Sequence, residues 1–404
     1  MTPGTDKRQI FGWSMYDFAD TIFSALFVTV YFPIFVVLKG GNAFHVGLIT
    51  SISMLMAGLL VPFLGAVADI TKRKKLLLFI FTTACCTATF LSGFFGLTVV
   101  LVLALLAMFF YHASLDVYDS LLVDITHKKN MGWISGLGTA VGYMGAILSV
   151  VLAFIIGKFY GYETIKGISI VFMLTGALYF GFSMFTFFLV RKDPETKIKK
   201  QHLKQAALQV ISTIKGIKQY KQVWLFLLAS FLYVDGANTA IIFLFLYAKD
   251  QLGMALAQFL PLYIAMAFTA GIGSLLFGKI TDKIGHKKTL TIVLALWGIA
   301  ILTMFIHTNY ATFLAVGLLG GALLGAIWTI SRPLLISLAP PHKTAELLGY
   351  QGLTEKFSGV IGPFLYGLVA VAFGFRQALL IVIVLFFSGA AVLYFVKEKK
   401  PQTQ

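Results

Sequence analysis

Six acidic side chains lie inside long apolar stretches of this 404-residue chain, where a charge is costly to accommodate. Asp17 and Asp20 stand three residues apart, so a helix would place both carboxylates on one face. His112, Asp116 and Asp119 recur at i, i+4 and i+7, which again predicts a single helical stripe. Carboxylates and an imidazole in apolar surroundings can exchange protons or bind cations. The pattern therefore indicates ion or solute binding, with helix-to-helix hydrogen bonds as the alternative role for the stripe.

The acidic pattern of the first apolar stretch returns in the second half of the chain. Asp17-Phe18-Ala19-Asp20-Thr21 and Asp235-Gly236-Ala237-Asn238-Thr239 share the pattern Asp-x-Ala-(Asp/Asn)-Thr. A polar cluster repeated in both halves of an apolar chain predicts one central site between two related halves. The aromatic residues Tyr16, Tyr233 and Trp328 stand beside the polar positions. We expect them to wall a cavity that suits a small zwitterion or an amphipathic solute better than a polyanion.

Three further charged residues stand inside apolar stretches of the second half, namely Arg332, Glu355 and Lys356. Arg332 could form an ion pair or hold an anionic group such as a carboxylate, because a guanidinium binds carboxylates in a bidentate manner. Its alternative role is to reach lipid phosphate from the inner end of its helix. Glu355 and Lys356 are adjacent, so they face different directions on a helix and each needs its own partner.

The elements that carry these residues are predicted to be membrane-spanning helices. Only 12% of the residues are charged and 59% are hydrophobic, whereas about 25% are charged in ordinary globular chains. Apolar runs of about 20 residues recur along the chain, which is the length that crosses a bilayer. The fold class is therefore an all-α polytopic membrane protein. Twelve spans are predicted at 11–38, 44–69, 75–96, 98–124, 131–157, 167–190, 222–248, 254–279, 288–307, 310–338, 345–372 and 376–396.

A polar stretch divides the predicted spans into two groups of six. The expected domains are a six-helix bundle over 1–190, a cytoplasmic linker over 191–221 and a second six-helix bundle over 222–404. Apolar residues recur at helical spacing within the linker, which predicts an amphipathic helix on the membrane surface. Most of the 32 Lys and Arg residues lie in the termini and in the loops on their side. The positive-inside rule therefore places both termini in the cytoplasm.

The net charge of +16 follows from these basic loops and does not require nucleic acid as a partner. The expected partners are the lipid bilayer and a small-molecule substrate. We expect an integral protein of the bacterial cytoplasmic (inner) membrane that is a monomer. No metal ligand pattern and no cofactor motif is present, so a transported or coupling ion, H⁺, is the expected inorganic species.

A second repeat follows spans two and eight, where Gly-x-x-x-Asp precedes a basic residue. The two copies are Gly65, Asp69 and Arg73 after span two, and Gly278, Asp282 and Lys287 after span eight. On twelve spans this repeat resembles the major facilitator superfamily. The resemblance implies two six-helix bundles that rock around a central cavity lined by spans one, four, seven and ten. It also implies that each Asp and its basic partner latch the cytoplasmic side, while a tight turn with solvated charge is the alternative role.

A narrower resemblance is to the Atg22-like branch of that superfamily. It rests on Gly12-Trp13-x-x-Tyr16-Asp17-Phe18-Ala19 in span one, Gly142-Tyr143-x-Gly145 in span five and Tyr233-x-Asp235-Gly236 in span seven. Gly362-Pro363 in span eleven extends it. The fungal members of the branch look like vacuolar exporters of neutral amino acids. The resemblance therefore implies a neutral amino acid as the substrate.

The predicted function is secondary active transport of a small solute by alternating access, coupled to protons. No Gly-x-x-x-x-Gly-Lys-(Ser/Thr) loop is present for nucleotide, and neither His-Glu-x-x-His nor Gly-x-Ser-x-Gly for hydrolysis. We therefore do not expect an enzyme. A neutral amino acid is the favoured substrate. A sugar–cation symporter and an exporter or translocator of amphipathic or lipid-like compounds are the alternatives.

Overall fold

The computed structural model of the protein describes residues 6–125, 131–191, 219–339 and 344–398. In these ranges the chain forms long helices joined by short loops, and twelve helical stretches are long and apolar enough to cross a membrane. Each of them overlaps one predicted span, so the all-α, twelve-span fold class is confirmed. Nearly all of the predicted linker, and with it the amphipathic helix, lies outside the described residues.

Most spans are single helices, but two are composite. Span one consists of α1 (Lys7–Phe23), a π-helical segment (Ser24–Tyr31) and α2 (Phe32–Leu38). Spans two to six are α3 (Ala43–Thr71), α4 (Lys74–Leu91), α5 (Leu97–Ile125), α6 (Met131–Tyr160) and α7 (Ile165–Leu189). Spans seven to ten are α8 (Lys221–Leu252), α9 (Leu256–Ile284), α10 (His286–Ile306) and α11 (Tyr310–Leu338). Span eleven consists of α12 (Thr344–Phe357) and α13 (Ile361–Phe373), and span twelve is α14 (Phe375–Tyr394).

The chain divides into two compact units, Met1–Val210 and Ile211–Gln404, here called unit 1 and unit 2. In unit 1, span one packs against spans five and six, and span four packs against spans two and three. In unit 2, span seven packs against span twelve, and span eight packs against span ten. The helices that carry the polar residues of each half are therefore packed inside their own unit.

Glycines allow the backbones of packed helices to approach closely. A Cβ atom added to Gly145 of span five would lie only 2.2 Å from the carbonyl oxygen of Phe18 in span one. In unit 2, a Cβ atom added to Gly325 of span ten would lie 2.0 Å from the carbonyl oxygen of Ala270 in span eight. Both distances are shorter than any real contact of this kind, so only glycine fits at these crossings.

Basic residues in the first turns of spans three and nine cap the C-terminal end of the last helix of their unit. The ammonium of Lys75 donates to the carbonyl oxygen of Val190, at the end of span six (2.5 Å). The ammonium of Lys287 donates to the carbonyl oxygen of Tyr394, at the end of span twelve (2.7 Å). Cations are favourable at these positions because the last carbonyls of a helix lack intrahelical donors. At the N-terminal end of α1, the carboxylate of Asp6 accepts a hydrogen bond from the backbone N–H of Arg8, which lowers the pKa of Asp6.

Candidate functional site

A buried network of hydroxyl groups joins four spans of unit 1. The hydroxyl of Tyr16 lies 2.6 Å from that of Thr82 in span three and 3.0 Å from that of Tyr179 in span six. The Tyr179 hydroxyl in turn lies 3.1 Å from that of Ser114 in span four. All four side chains are buried, so each hydrogen bond satisfies a group that water does not reach. The network fixes span one laterally within unit 1.

Stacked aromatic rings extend this network toward the start of span one. The ring of Tyr118 stacks on Trp13 at a centroid distance of 4.6 Å and on Tyr16 at 4.8 Å. The indole N–H of Trp13 donates to the carbonyl oxygen of Tyr118 (3.2 Å). Of these residues only Tyr16 is predicted for the site from the sequence. The sequence signal for Tyr118 is its position next to Asp119, in a span with several polar residues.

Three of the predicted acids come together in unit 1. Asp20 is 4% exposed, and both Asp17 and Asp119 act on it electrostatically. Asp17 is half-buried and lies against span five, where a Cβ atom added to Gly138 would be 2.3 Å from its carboxylate. Asp119 is exposed. Spans one and four therefore contribute acids to one cluster, although these acids differ in exposure.

The residues of the predicted stripe on span four do not all belong to this cluster. The carboxylate of Asp116 lies against span two, 3.1 Å from where a Cβ atom of Gly65 would stand. His112 is half-buried, and its ring lies 5.1 Å from that of Tyr111. The helical spacing of the stripe thus places Asp119 near Asp20, whereas Asp116 faces Gly65, the glycine of the predicted latch motif.

The carboxylate of Asp235 in unit 2 caps a helix. One of its oxygens accepts from the backbone N–H of Gly359 (2.7 Å) and the other from that of Gly362 (2.8 Å). These N–H groups belong to the break between α12 and α13, where a helix N-terminus leaves donors without intrahelical partners. The sequence analysis expected Asp235 to bind solute or ion. The structure instead gives both of its oxygens backbone donors, and solute binding by this side chain stays a prediction.

The break divides span eleven, which is predicted over 345–372, into two helices. Pro363 has no N–H to donate to the preceding turn, and its ring crowds the carbonyl four residues earlier. Gly359 has a φ angle of +105°, a conformation that residues with a Cβ atom rarely adopt. Asn238 of span seven adds a side-chain hydrogen bond to the carbonyl oxygen of Ser358 (3.4 Å). Spans seven and eleven are therefore joined at the break by two side chains of the repeated pattern.

A second polar group of unit 2 lies on the first part of span eleven. Glu355 accepts a hydrogen bond from the side chain of Gln351 (2.9 Å), and the charges of Arg332 and Lys356 act on its carboxylate. Two cations accompany one carboxylate, which leaves a net positive charge at this place. Arg332 is exposed. Such an arrangement can bind an anionic group.

Two predicted aromatic residues of unit 2 differ in their surroundings. Tyr233 is fully buried, and its hydroxyl lies 2.8 Å from that of Ser331 in span ten. Trp328 is 40% exposed. Tyr233 therefore holds spans seven and ten together, whereas Trp328 presents a large ring surface outside the packed interior of the structure.

The predicted latch is described only in part. The side chains of Asp69 and Asp282 lie outside the described residues, so the pairs with Arg73 and Lys287 stay predictions. A Cβ atom added to Gly278 would lie 3.6 Å from the methyl group of Thr329. Within the described residues, no three His, Cys, Asp or Glu side chains converge as a metal site would require.

The comparisons with known proteins agree on a transporter fold. A family model described as "Vacuole effluxer Atg22 like" matches residues 123–404. The MFS-type transporter YxiO of Bacillus subtilis (strain 168) is 26% identical over 97% of this chain and 95% of its own length. Multidrug resistance protein MdtG of Proteus mirabilis (strain HI4320) is 26% identical over 86% of this chain and 83% of its own.

Among solved structures, a bacterial homologue of the human lysosomal transporter Spinster, in an inward-facing and unoccupied conformation, superposes with a TM-score of 0.75. The two chains are 12% identical, and the match covers 97% of this chain and 98% of the other. At this identity the likeness shows the fold alone, which is that of the major facilitator superfamily. The chain is thus an integral membrane transporter of that superfamily, and it belongs to the Atg22-like vacuole effluxer family.

Proposed function

We propose that this protein is a secondary active transporter that exchanges protons for a small solute, with a neutral amino acid as the favoured substrate. The observation that carries the proposal is the presence of ionisable side chains inside membrane-spanning helices of both units. Such residues are costly in a bilayer, and they mark ion or solute pathways. The family description as an effluxer and the relatives named as transporters support the same class.

Each unit taken by itself presents charges that suit an oppositely charged group of a solute. Unit 1 offers the acids Asp17 and Asp119, which suit a cationic group such as an ammonium. Unit 2 offers Arg332 and Lys356 around a single carboxylate, which suits an anionic group. A neutral amino acid carries one group of each kind. Alternating access would then deliver it across the membrane.

Proton movement in proteoliposomes tests the proposal. Purified protein is reconstituted with a pH-sensitive dye inside, and pools of amino acids, sugars and organic acids are added in turn without sodium. We expect an amino-acid pool to change the internal pH, with no change in protein-free liposomes or in the presence of a protonophore. If no pool changes the pH, and radiolabelled amino acids show no counterflow, the proposed substrate class is wrong.

A second candidate function is export of amphipathic compounds. It is favoured by the relative named as a multidrug resistance protein and by the exposed ring of Trp328. Dye efflux from cells that express the protein distinguishes it from amino-acid transport. A proton movement driven by lipophilic cations, and by no amino acid, would favour this second function.

Arg332→Gln provides a test of the anionic end of the substrate. A charge-assisted hydrogen bond contributes roughly 1.5–3 kcal/mol, which corresponds to about a tenfold to hundredfold change in affinity. We expect the KM for a substrate with a carboxylate to rise by about that factor, and the KM for its amide to change little. Arg376→Gln is the matched control, because Arg376, in the first turn of α14, donates to the carbonyl oxygen of Phe305 at the end of α10 in the same unit. An equal change for acid and amide would contradict the proposed contact.

We also propose a location in the bacterial cytoplasmic membrane with both termini in the cytoplasm. The proposal rests on the concentration of Lys and Arg in the terminal segments and in the loops on their side. A C-terminal fusion to a reporter that is active only in the cytoplasm should be active. Activity of a periplasm-dependent reporter at the same position would contradict it.

A further inference from the structure

The carboxylate of Asp20 receives very little hydrogen bonding for a group so deeply buried. The side chain is 4% exposed, and its Oδ2 atom has no hydrogen-bond partner in the described part of the chain. Its Oδ1 atom accepts a single bond, a long one of 3.2 Å from the hydroxyl of Thr21. Buried carboxylates normally accept several hydrogen bonds, because burial removes the water that would otherwise solvate them.

Even that single bond is shared. The hydroxyl of Thr21 has one hydrogen, and it also lies 2.7 Å from the carbonyl oxygen of Asp17, one helical turn earlier. The shorter and better placed acceptor is this carbonyl oxygen. Asp20 therefore receives at most a weak share of the Thr21 hydrogen, and neither of its oxygens has a full donor.

The hydroxyl groups around Asp20 are engaged with one another. The Tyr16 hydroxyl makes short contacts with Thr82 and Tyr179, and the Tyr179 hydroxyl also contacts Ser114. These contacts run between spans and leave Asp20 outside the network. The interior of unit 1 thus provides hydrogen-bond partners for the hydroxyls of Tyr16 and Tyr179 but almost none for this carboxylate.

The charged groups that act on Asp20 are also unfavourable to a negative charge. Asp17 of its own helix and Asp119 of span four are both acids. Gly138, Gly142 and Gly145 of span five face α1 at the crossing, and they contribute no charge. The remaining titratable groups that interact with Asp20 are Tyr16, Tyr111, Tyr118, Tyr179 and Cys85. None of these groups is a cation at neutral pH.

We propose that Asp20 holds the proton that this transporter exchanges across the membrane. An ionised carboxylate at this place would lack donors and stand beside two other acids, whereas the protonated form removes the charge. A bound metal cation is a weaker account, because it needs several converging oxygen ligands and the described acids provide no such group. The proposal rests on the proposed function only for the exchange across the membrane, and not for the protonation itself.

The backbone after Asp20 gives this position a feature that ordinary helix lacks. A π-helical segment begins at Ser24, one turn later, and continues to Tyr31. Segments of π-helix are rare and occur frequently at functional sites, because their wider turn alters the backbone hydrogen bonds. The proton-holding residue thus stands at the end of regular α-helix within span one.

The repeat supplies the variant for the test. Asn238 stands in unit 2 where Asp20 stands in the matching pattern of unit 1, and it is accommodated inside span seven. Asp20→Asn keeps the shape of the side chain and removes its ability to hold an exchangeable proton. Asp250→Asn is the control, since it makes the same change at an exposed position near the C-terminal end of span seven, outside the candidate site.

A hydrophobic carbodiimide tests the protonation directly, because it reacts with protonated carboxyl groups in apolar surroundings. Membranes that contain the protein are treated at several pH values, and the labelled carboxyl is located by peptide mass spectrometry. We expect label on Asp20 that decreases as the pH is raised and that sodium does not change at fixed pH. Absence of label on Asp20 at every pH, or protection by sodium, would overturn the proposal.

Transport measurements separate this proposal from the proposed function. We expect Asp20→Asn to lose substrate-driven proton movement while it retains exchange of labelled substrate across the membrane. Retained proton movement in Asp20→Asn, with loss in Asp17→Asn, would overturn the role of Asp20 and leave proton-coupled transport in place. Label on Asp20 in a protein that transports no tested solute would support the protonated site and count against the proposed substrates.

Discussion

Asp235→Asn should lower the free energy of unfolding of unit 2 by about 2–3 kcal/mol, because it leaves a buried backbone N–H group without an acceptor. The carboxylate accepts from both Gly359 and Gly362, whereas an asparagine side chain has one oxygen and would direct its NH₂ group at the second donor. For a unit of this size we expect a decrease in melting temperature of roughly 5–10 °C. Thermal unfolding of the detergent-solubilised protein measures it.

Asp250→Asn is the matched control for this substitution. Asp250 lies on the same helix, but it is exposed and close to its C-terminal end. The same change of charge there is expected to alter stability by less than about 0.5 kcal/mol. If both variants have the melting temperature of the unchanged protein, the break in span eleven depends on Gly359 and Pro363 rather than on Asp235. A variant that folds normally but no longer binds solute would support the role in binding that the sequence had suggested.

Gly145→Ala should destabilise unit 1 as much as many larger substitutions elsewhere in the protein would. Its new methyl group would lie 2.2 Å from the carbonyl oxygen of Phe18, and a backbone atom cannot move aside as a flexible side chain can. Spans one and five would have to separate, which we expect to cost about 1–3 kcal/mol or more. Because span one carries Asp17 and Asp20, proton-coupled transport should decrease together with the melting temperature.

Gly181→Ala in span six tests whether the effect of Gly145→Ala comes from the crossing. No atom lies within 4 Å of a Cβ atom built on Gly181, and this residue also lies within a transmembrane helix. Alanine there should be neutral or stabilising by up to about 1 kcal/mol, since it is the better helix former. Equal melting temperatures for the two variants would show that the helices of unit 1 can separate without cost.

The twelve spans and the internal repeat could be predicted because they depend on local and strong signals. A run of about 20 apolar residues has few alternatives to a membrane helix. The repeated acids of spans one and seven could also be identified, since a carboxylate in such a run is rare. The grouping of Asp17 and Asp20 with Asp119 follows from helical spacing and the family resemblance.

The roles of those acids could not be predicted, since they depend on which backbone groups lie opposite. The sequence predicts both Asp20 and Asp235 as intramembrane carboxylates. In the structure Asp20 has almost no hydrogen-bond donors, whereas Asp235 has two. The difference arises in spans five and eleven, which are far away in the sequence. A proline such as Pro363 inside a predicted span favours a kink, but nothing local to it indicates that Asp235 accepts from the donors that the break exposes.

The two units depart from their common pattern at different places. In unit 1 the irregular backbone is the π-helical segment of span one, whereas span five is the unbroken helix Met131–Tyr160. In unit 2 span seven is the unbroken helix Lys221–Leu252, and the irregularity is the break in span eleven. If both halves descend from one duplicated ancestor, each has since acquired its own irregular helix. A chain assembled from two copies of unit 1 would therefore have no helix break whose N–H groups the acid of span seven could cap. The two halves can thus no longer replace one another.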